Sequence, residues 1–340
     1  MQLSKTDTLV LKGVALLLLL SHHLFYKNPG LYNDITIIGN HQLVQTVGVV
    51  SKVCVSIFVF LSGYGLTIKY NNANHFDVCQ FYWIRIVKLL TNYWLIWLLF
   101  MPISLVWLGP SLSEAYGDYV PLKVLMDFFG VINLVGWYGY NPTWWFYSCI
   151  IGLYLLFPIL RCHMDRQMPL ILLISIAMFF IPGGFLQPLR LYLLPFVLGI
   201  LSSSYGQKYP PSSLRYRTVV AWGGILGLLT VERAYVHDGM FFDHFLATAI
   251  IFTYAQLRIP QPVSKVLSFI GKHSMNIFLF HTFIFGLWFS SFIYSTRNPL
   301  IIYMLLLVIC VLISVVIEMI KKIVGFNRVQ GKLLNLYVRQ

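Results

Sequence analysis

The sequence predicts an all-α polytopic membrane protein, and two observations carry that prediction. Of its 340 residues, 58% are hydrophobic and only 10% are charged, which is far from the balance of a soluble domain. Apolar runs long enough to cross a bilayer recur along the whole chain, about ten of them by the usual length criterion. We place them at 9–26, 45–68, 86–108, 144–160, 168–182, 189–205, 217–231, 241–257, 275–294 and 299–320. We therefore expect a single integral membrane domain over residues 1–340, with no appended soluble domain.

The distribution of charge orients these segments. With the N-terminus inside and about ten crossings, most of the 24 basic residues fall in cytoplasmic segments, which is the positive-inside pattern. The N- and C-termini are therefore predicted to be cytoplasmic. The net charge of +13 follows from this topology, so it does not indicate nucleic acid binding.

The first segment, Leu9 to Tyr26, places titratable groups at membrane depth. Lys12 lies near one end, and the adjacent His22 and His23 lie near the other. In a helix, Lys12 and His23 are about three turns apart, so they share one face with an axial separation of about 16 Å. Such groups are costly inside a bilayer and usually mark a functional site. A snorkelling lysine and a histidine pair in the head-group region are the alternative explanation.

The end of the second segment is rich in small residues. Ser62, Gly63 and Gly65 permit a helix or a ligand to approach the backbone closely, and Tyr64 adds a hydroxyl group among them. Helix packing and a substrate site explain this pattern about equally well. Ser62 and Tyr64 are therefore candidates for substrate binding.

The third segment opens with two basic residues on one helical face, Arg85 and Lys88, and Tyr93 follows them. A phosphate clamp for a cytoplasmic ligand and a positive-inside anchor are both consistent with this pair. Beyond this segment, the stretch 120–138 is apolar and aromatic but is interrupted by charges. We expect it to lie at the outer interface rather than to cross.

Three later features carry further candidates. Trp144 and Trp145 open the fourth segment, where an aromatic belt is the ordinary explanation. His281 lies deep in the ninth segment, where a hydrogen-bonded structural histidine is the more common case. Between the seventh and eighth segments we expect a solvated outer loop, with a site for a polar acceptor as the alternative. The polar residues of this loop are Glu232, Arg233, His237, Asp238, Asp243 and His244.

Several stretches, taken in order, resemble one family of bacterial integral membrane acyltransferases, acyltransferase family 3. They are LKGVALLLLLSHH, FVFLSGYGL, IRIVKLLTNY, WWFYSCIIGLYLLFP and IGKHSMNIFLFH, and together they run over the whole chain. The resemblance implies transfer of an acyl group, often acetyl, from cytoplasmic acyl-CoA to a sugar of a surface glycan or lipid-linked precursor. It also implies a multi-pass protein of the bacterial inner membrane. The five cysteines have no metal-ligand spacing, and no metal is expected.

The motifs of this family fall on particular residues of the chain. A basic residue followed, after ten others, by a histidine falls on Lys12 and His23, so His23, with its neighbour His22, is the implied catalytic group. The R-x-x-R pattern falls on Arg85 and Lys88, which implies a role near the donor. Lysine replaces the more usual arginine at 12 and 88, and lysine binds phosphate as a point charge without a bidentate fork. The donor candidates are Lys12, Arg85, Lys88 and Tyr93, and the substrate candidates are Ser62, Tyr64, Trp145 and His281.

Two other classes of protein also have many helices and a polar intramembrane face. A transporter or flippase for a glycan or lipid-linked precursor often shows internal repeats and broken helices, which are not evident in this sequence. A non-catalytic membrane partner in glycan assembly would leave His23 replaceable. The motifs favour the acyltransferase, in which His23 acts as a general base or itself accepts the acyl group.

Overall fold

The computed structural model describes residues 2–36, 42–71, 76–208, 215–235, 239–257 and 259–338. Regular structure within these ranges is helical, and an isolated antiparallel bridge joins Thr36 to Gln42. The α-helices are α1 Lys5–Phe25, α2 Leu43–Val50, α3 Cys54–Asn71, α4 Val78–Ile103, α5 Leu112–Tyr116, α6 Val120–Phe128, α7 Trp145–Phe179, α8 Gln187–Lys208, α9 Arg215–Tyr235, α10 Phe242–Gln256, α11 Gln261–Thr282, α12 Ser290–Ile293, α13 Pro299–Ile323 and α14 Phe326–Val338. The 3-10 segments are Ser51–Val53 and Ile132–Val135, and the π-helical segments are Ser104–Leu108 and Phe283–Trp288. The prediction of an all-helical chain is confirmed for the described ranges.

Five stretches of the described chain are helical, long and apolar enough to cross a membrane. They are Lys5–Phe25, Leu43–Tyr70, Val78–Leu108, Trp145–Met164 and Pro299–Ile323. The helices α8, α9 and α10 overlap the predicted spans 189–205, 217–231 and 241–257. The structure therefore indicates a multi-pass membrane protein, while the number of ten crossings and the cytoplasmic termini stay predictions.

Three predicted spans have different bounds in the structure. The ninth was expected to begin at 275, but α11 begins at Gln261 because the polar stretch before 275 continues the helix. The fourth and fifth are parts of α7, which changes direction at Gln167, where φ is −122° and ψ is 24°. Pro169 follows the bend, and a proline inside a helix cannot donate the backbone hydrogen bond that would keep it straight.

The chain forms two compact units, each assembled from segments that are distant in sequence. Unit 1 comprises Met1–Asn72, Leu194–Ser274 and Ser291–Val308, and unit 2 comprises Ala73–Leu193, Met275–Ser290 and Ile309–Gln340. The candidate residues of unit 1 are Lys12, His22, His23, Ser62 and Tyr64. The candidate residues of unit 2 are Arg85, Lys88, Tyr93, Trp145 and His281.

In unit 1, α1 is fixed both at its start and along one face. The Ser4 hydroxyl accepts a hydrogen bond from the Asp7 N–H, and the Asp7 carboxylate accepts one from the Ser4 N–H. This capping box satisfies N–H groups that the first turn leaves without partners. Gly271 of α11 lies so close to α1 that a Cβ there would overlap the carbonyl oxygen of Leu9. These contacts fix the position of α1 and hence of the histidines in its last turn.

Gly63 and Gly65 on α3 differ in what surrounds them. A Cβ at Gly63 would overlap the carbonyl oxygen of Phe196 on α8, whereas a Cβ at Gly65 would have no atom within 4 Å. Of the two explanations that the sequence left open, close helix packing is the one that applies to Gly63.

We expect Gly63→Ala to destabilise the fold by about 1–3 kcal/mol, since the added methyl group meets a backbone carbonyl that cannot rotate away. Gly65→Ala on the same helix is the matched control. It should be neutral or stabilising, because alanine favours a helix over glycine by up to about 1 kcal/mol. Thermal unfolding of the purified protein in lipid nanodiscs measures both. Equal melting temperatures for the two variants would contradict the packing explanation.

Candidate active site

His22 and His23 lie side by side in the last turn of α1, in unit 1. His22 is buried, and its Nδ1 lies 2.8 Å from the carbonyl oxygen of Gly48 in α2. Since a carbonyl oxygen only accepts, Nδ1 carries the hydrogen and Nε2 holds the lone pair in the neutral ring. The His23 ring centre is 5.2 Å from that of His22, and His23 is the more exposed of the two. The His22 ring is thus fixed by a backbone carbonyl, and the His23 ring is the more accessible of the two.

Positive charge surrounds this histidine pair. Lys52, Arg233 and Lys27 act electrostatically on His22. The ammonium groups of Lys27 and Lys52 lie 5.9 and 6.0 Å from the centre of the Tyr26 ring, which stacks on the His22 ring at 4.9 Å. Fixed positive groups of this kind stabilise negative charge that develops during a reaction. No local signal predicts this arrangement, because its residues come from three separate parts of the chain.

The expectation of a solvated loop between the seventh and eighth segments is wrong for the described residues. Arg233 and Asp243 are 1% and 3% exposed, and Arg233 Nε lies 2.8 Å from Asp243 Oδ1. His244 is also buried, with Nδ1 2.9 Å from the Ser56 hydroxyl. These groups lie within α9 and α10 rather than in a loop, so they pack inside unit 1. His237 and Asp238 lie outside the described residues.

The remaining unit 1 candidates have different surroundings. Lys12 is half-buried in α1, and no hydrogen bond or ion pair to its ammonium is found in the described part of the chain. The Ser62 hydroxyl donates to the carbonyl of Phe58 at 2.9 Å, within its own helix. The Tyr64 hydroxyl is buried and accepts a hydrogen bond from the Leu3 N–H at 2.7 Å. Ser62 and Tyr64 therefore already serve the structure of unit 1, and their contact with a substrate stays a prediction.

In unit 2, Arg85 and Lys88 lie on α4, as the sequence indicated. The Arg85 guanidinium lies 5.9 Å from the centre of the Tyr154 ring, and Lys88 is exposed. Cationic side chains of this kind are suited to phosphate groups, and their contact with the donor stays a prediction. Across the described ranges, no group of three potential metal ligands lies together.

Tyr93 of α4 is fully buried, and its hydroxyl is engaged within unit 2. The Tyr93 hydroxyl oxygen lies 2.8 Å from the Asp127 carbonyl oxygen and 3.2 Å from Asp127 Oδ1. The other carboxylate oxygen, Oδ2, accepts hydrogen bonds from the Tyr116 hydroxyl and the Tyr140 N–H. Burial raises the pKa of Asp127, and these donors oppose that rise by stabilising the charged form. Tyr93 thus joins α4 to α6 through a buried carboxyl group.

Tyr93→Phe tests whether this residue is structural or contacts the donor. We expect the free energy of unfolding to fall by about 1 kcal/mol, because a buried hydrogen bond is lost, while the KM for acyl-CoA stays at the wild-type value. Tyr82→Phe on the same helix is the control, since the Tyr82 hydroxyl bonds the Leu155 carbonyl at an exposed position. A raised KM with unchanged stability would instead assign Tyr93 to the donor.

Trp145 and His281 are both held by neighbours in unit 2. Trp145 is half-buried and stacks on Tyr192, with 5.4 Å between ring centres. His281 is fully buried, and its Nδ1 lies 2.9 Å from the carbonyl oxygen of Phe278, one turn earlier in α11. Burial and a local hydrogen bond are typical of a structural histidine. The assignment of both residues to substrate stays a prediction.

Sequence reasoning missed a buried polar network in unit 2. The Lys321 ammonium donates to Glu318 Oε1 at 2.8 Å, to Asn276 Oδ1 at 3.0 Å and to Asn92 Oδ1 at 3.1 Å. In the sequence, Lys321 directly follows the last predicted span, 299–320, where a basic residue fits the positive-inside pattern. A usable signal was present, since Asn276 and Glu318 interrupt long apolar runs, and polar groups in such runs usually have partners.

The fold and the histidine pair together define a multi-pass membrane protein with acid–base groups at the end of its first helix. Residues 10–319 match the family described as "Acyltransferase domain", acyltransferase family 3. Because this range covers nearly the whole chain and every candidate residue, the chain belongs to that acyltransferase family. Comparisons with curated proteins and with solved structures found no significant match. The resemblance noted in the sequence is confirmed.

Proposed function

We propose that this protein is an O-acyltransferase of the bacterial inner membrane. It moves an acyl group, expected to be acetyl, from cytoplasmic acyl-CoA to a hydroxyl of a surface polysaccharide or lipid-linked glycan. Its family supports the reaction type. The observation that carries the proposal is the histidine pair at the end of α1, in which His22 is fixed through Gly48 and His23 is the more exposed.

In the direct route, His23 acts as a general base. It takes the proton of the acceptor hydroxyl as the oxygen attacks the thioester carbon, and the carbonyl electron pair moves onto its oxygen. When the carbonyl re-forms, the carbon–sulfur bond breaks and the leaving thiolate takes the proton from His23. In the two-step route, the neutral imidazole attacks the thioester carbon, the carbon–sulfur bond breaks, and the CoA thiolate takes the ring proton that the acyl-imidazolium releases. The acceptor hydroxyl then attacks the acyl-imidazole, the carbon–nitrogen bond breaks, and the departing imidazole takes the hydroxyl proton.

Both routes pass through a negatively charged oxygen. The ammonium groups of Lys27 and Lys52, which act on His22, would lower the energy of that charge. His22 contributes by position, since its bond to Gly48 fixes the last turn of α1 and hence its neighbour His23.

The donor must reach His23 from the cytoplasmic side. Lys12 lies about 16 Å from His23 along the axis of α1. A CoA whose phosphates bind the Lys12 ammonium would extend its pantetheine arm along this helix to bring the thioester to the histidine. We separately propose that Arg85 and Lys88 of unit 2 contact the donor, as the resemblance implies.

Mass spectrometry of ester-linked acyl groups on surface glycans tests this function in host cells that lack the protein. The ester should be absent, should return when the wild-type gene is supplied, and its mass will name the acyl group. Esters that are unchanged by loss of the protein would contradict the proposal. If glycan export fails while esters persist, a transporter or flippase would be the better description.

A further inference from the structure

Lys52 is placed where a lysine ordinarily needs an anionic partner. It lies in the segment Ser51–Val53 after α2 and is only partly exposed. Its ammonium contacts the sulfur of Met240 and lies 6.0 Å from the centre of the Tyr26 ring. In the part of the chain that the structure describes, no carboxylate lies within ion-pair distance of it. A thioether and an aromatic face compensate an ammonium charge only weakly.

Among the charged groups around Lys52, the cations outnumber the carboxylates. The groups that act on it include Asp243, Arg233 and Lys27. Asp243 is bonded to Arg233 at 2.8 Å and already compensates that guanidinium. Glu232 also acts on Asp243, so this group holds two carboxylates against three cations, namely Arg233, Lys52 and the exposed Lys27. The Lys52 ammonium is partly withdrawn from water, and a cation in such a position is costly unless an anion joins it.

This positive charge lies beside the histidine pair. The Tyr26 ring stacks on His22 at 4.9 Å, and the ammonium groups of Lys27 and Lys52 lie about equally far from the same ring, at 5.9 and 6.0 Å. A ligand anion held by the two lysines would therefore place the rest of its molecule near His23, the next residue along α1.

We propose that Lys52, assisted by Lys27, binds a carboxylate or phosphate group carried by the acceptor, so that the acceptor is an anionic glycan. The proposal rests on the proposed function and narrows its substrate class. Lys52 is then a substrate-binding residue and takes no part in the proton transfer. Neutral sugars would be discriminated against, because they leave the ammonium without its partner.

Binding of a simple probe tests this without any turnover. The full-length protein is placed in nanodiscs of phosphatidylcholine, and its melting temperature is followed while glucuronate is added at constant ionic strength. A ligand that binds only the folded protein raises this temperature. We expect glucuronate, but not glucose, to stabilise the wild type and Lys52→Arg. In Lys52→Met the apparent affinity should fall by about tenfold or more, the usual scale for loss of a charged contact.

Lys123→Met is the matched control. Lys123 also lies over an aromatic ring, with its ammonium 5.5 Å from the centre of the Trp137 ring, but it belongs to unit 2. This variant should keep the full glucuronate response. Without glucuronate, Lys52→Met should melt at or above the wild-type temperature, because it removes an uncompensated cation.

Each remaining outcome overturns the proposal. Equal glucuronate responses in wild type and Lys52→Met would show that the anion binds elsewhere. Equal responses to glucuronate and glucose would show that the site does not distinguish an anionic sugar from a neutral one. If adding phosphatidylglycerol to the nanodiscs removes the glucuronate response, the ammonium is neutralised by a lipid phosphate and the glycan assignment fails. Because acyl-CoA is absent, these results are independent of the ester measurement that tests the acyltransferase.

Discussion

Cells that carry His23→Ala are expected to contain the protein at wild-type abundance but to lack its glycan ester. Removing a general base typically costs about 10²–10⁴ in rate, and removing an acyl acceptor stops the two-step route entirely. Its surroundings support a catalytic role, since His23 is partly exposed beside His22 in a positively charged environment. Mass spectrometry of released acyl groups, normalised to membrane abundance, measures the loss.

Two other histidines provide controls for this result. His163→Ala should leave the ester unchanged, because His163 is exposed and its Nδ1 bonds the Ile159 carbonyl of its own helix. His22→Ala should lower protein abundance together with the ester, since it removes the bond to Gly48 that fixes the last turn of α1. A wild-type ester level in His23→Ala would exclude His23 as base or acceptor.

The helices that could be predicted from the sequence are those whose bounds are set by residues within the helix itself. The first and last spans were expected at 9–26 and 299–320, and the helices run from Lys5 to Phe25 and from Pro299 to Ile323. In both, a long apolar run with polar ends fixes the bounds. The start of α11 at Gln261 was not predictable in this way, because Gln261, Lys265 and Ser268 interrupt the apolar pattern of its first turns and make them resemble a loop in sequence.

The candidate site was predictable only along α1. The spacing of Lys12 and His23 places them on one helical face by geometry alone. The positive surroundings of the histidines depend on tertiary contacts, which bring Lys52 and Arg233 to His22 from other segments. The role of Tyr64 could not be settled either, because its partner Leu3 is 61 residues earlier in the sequence.

The buried pair of Arg233 and Asp243 shows why a cluster of charges near a turn is ambiguous in sequence. Charges between two apolar segments usually mean a solvated loop, and composition alone cannot reveal that two of them are sequestered together. Pairing at 2.8 Å with almost no exposure is a property of how α9 packs on α10. Removal of either charged group should therefore destabilise the protein, because the other group is left buried without a partner.

Asp243→Leu is therefore expected to lower the free energy of unfolding by about 3–5 kcal/mol, since it leaves a buried guanidinium without its carboxylate. Arg233→Met should cost less, because Lys52 acts on Asp243 and compensates part of the carboxylate charge. The double variant Arg233→Met/Asp243→Leu should recover most of the stability, because apolar side chains of similar volume replace a buried ion pair at little cost.

Thermal unfolding of the four proteins in lipid nanodiscs gives the coupling between the two positions as a double-mutant cycle. The expected signature is a large coupling, with both single variants below the double variant and Asp243→Leu the least stable. If the losses in the single variants simply add in the double variant, the two charges are independent. The ion pair would then have no part in holding α9 against α10 beside the histidines.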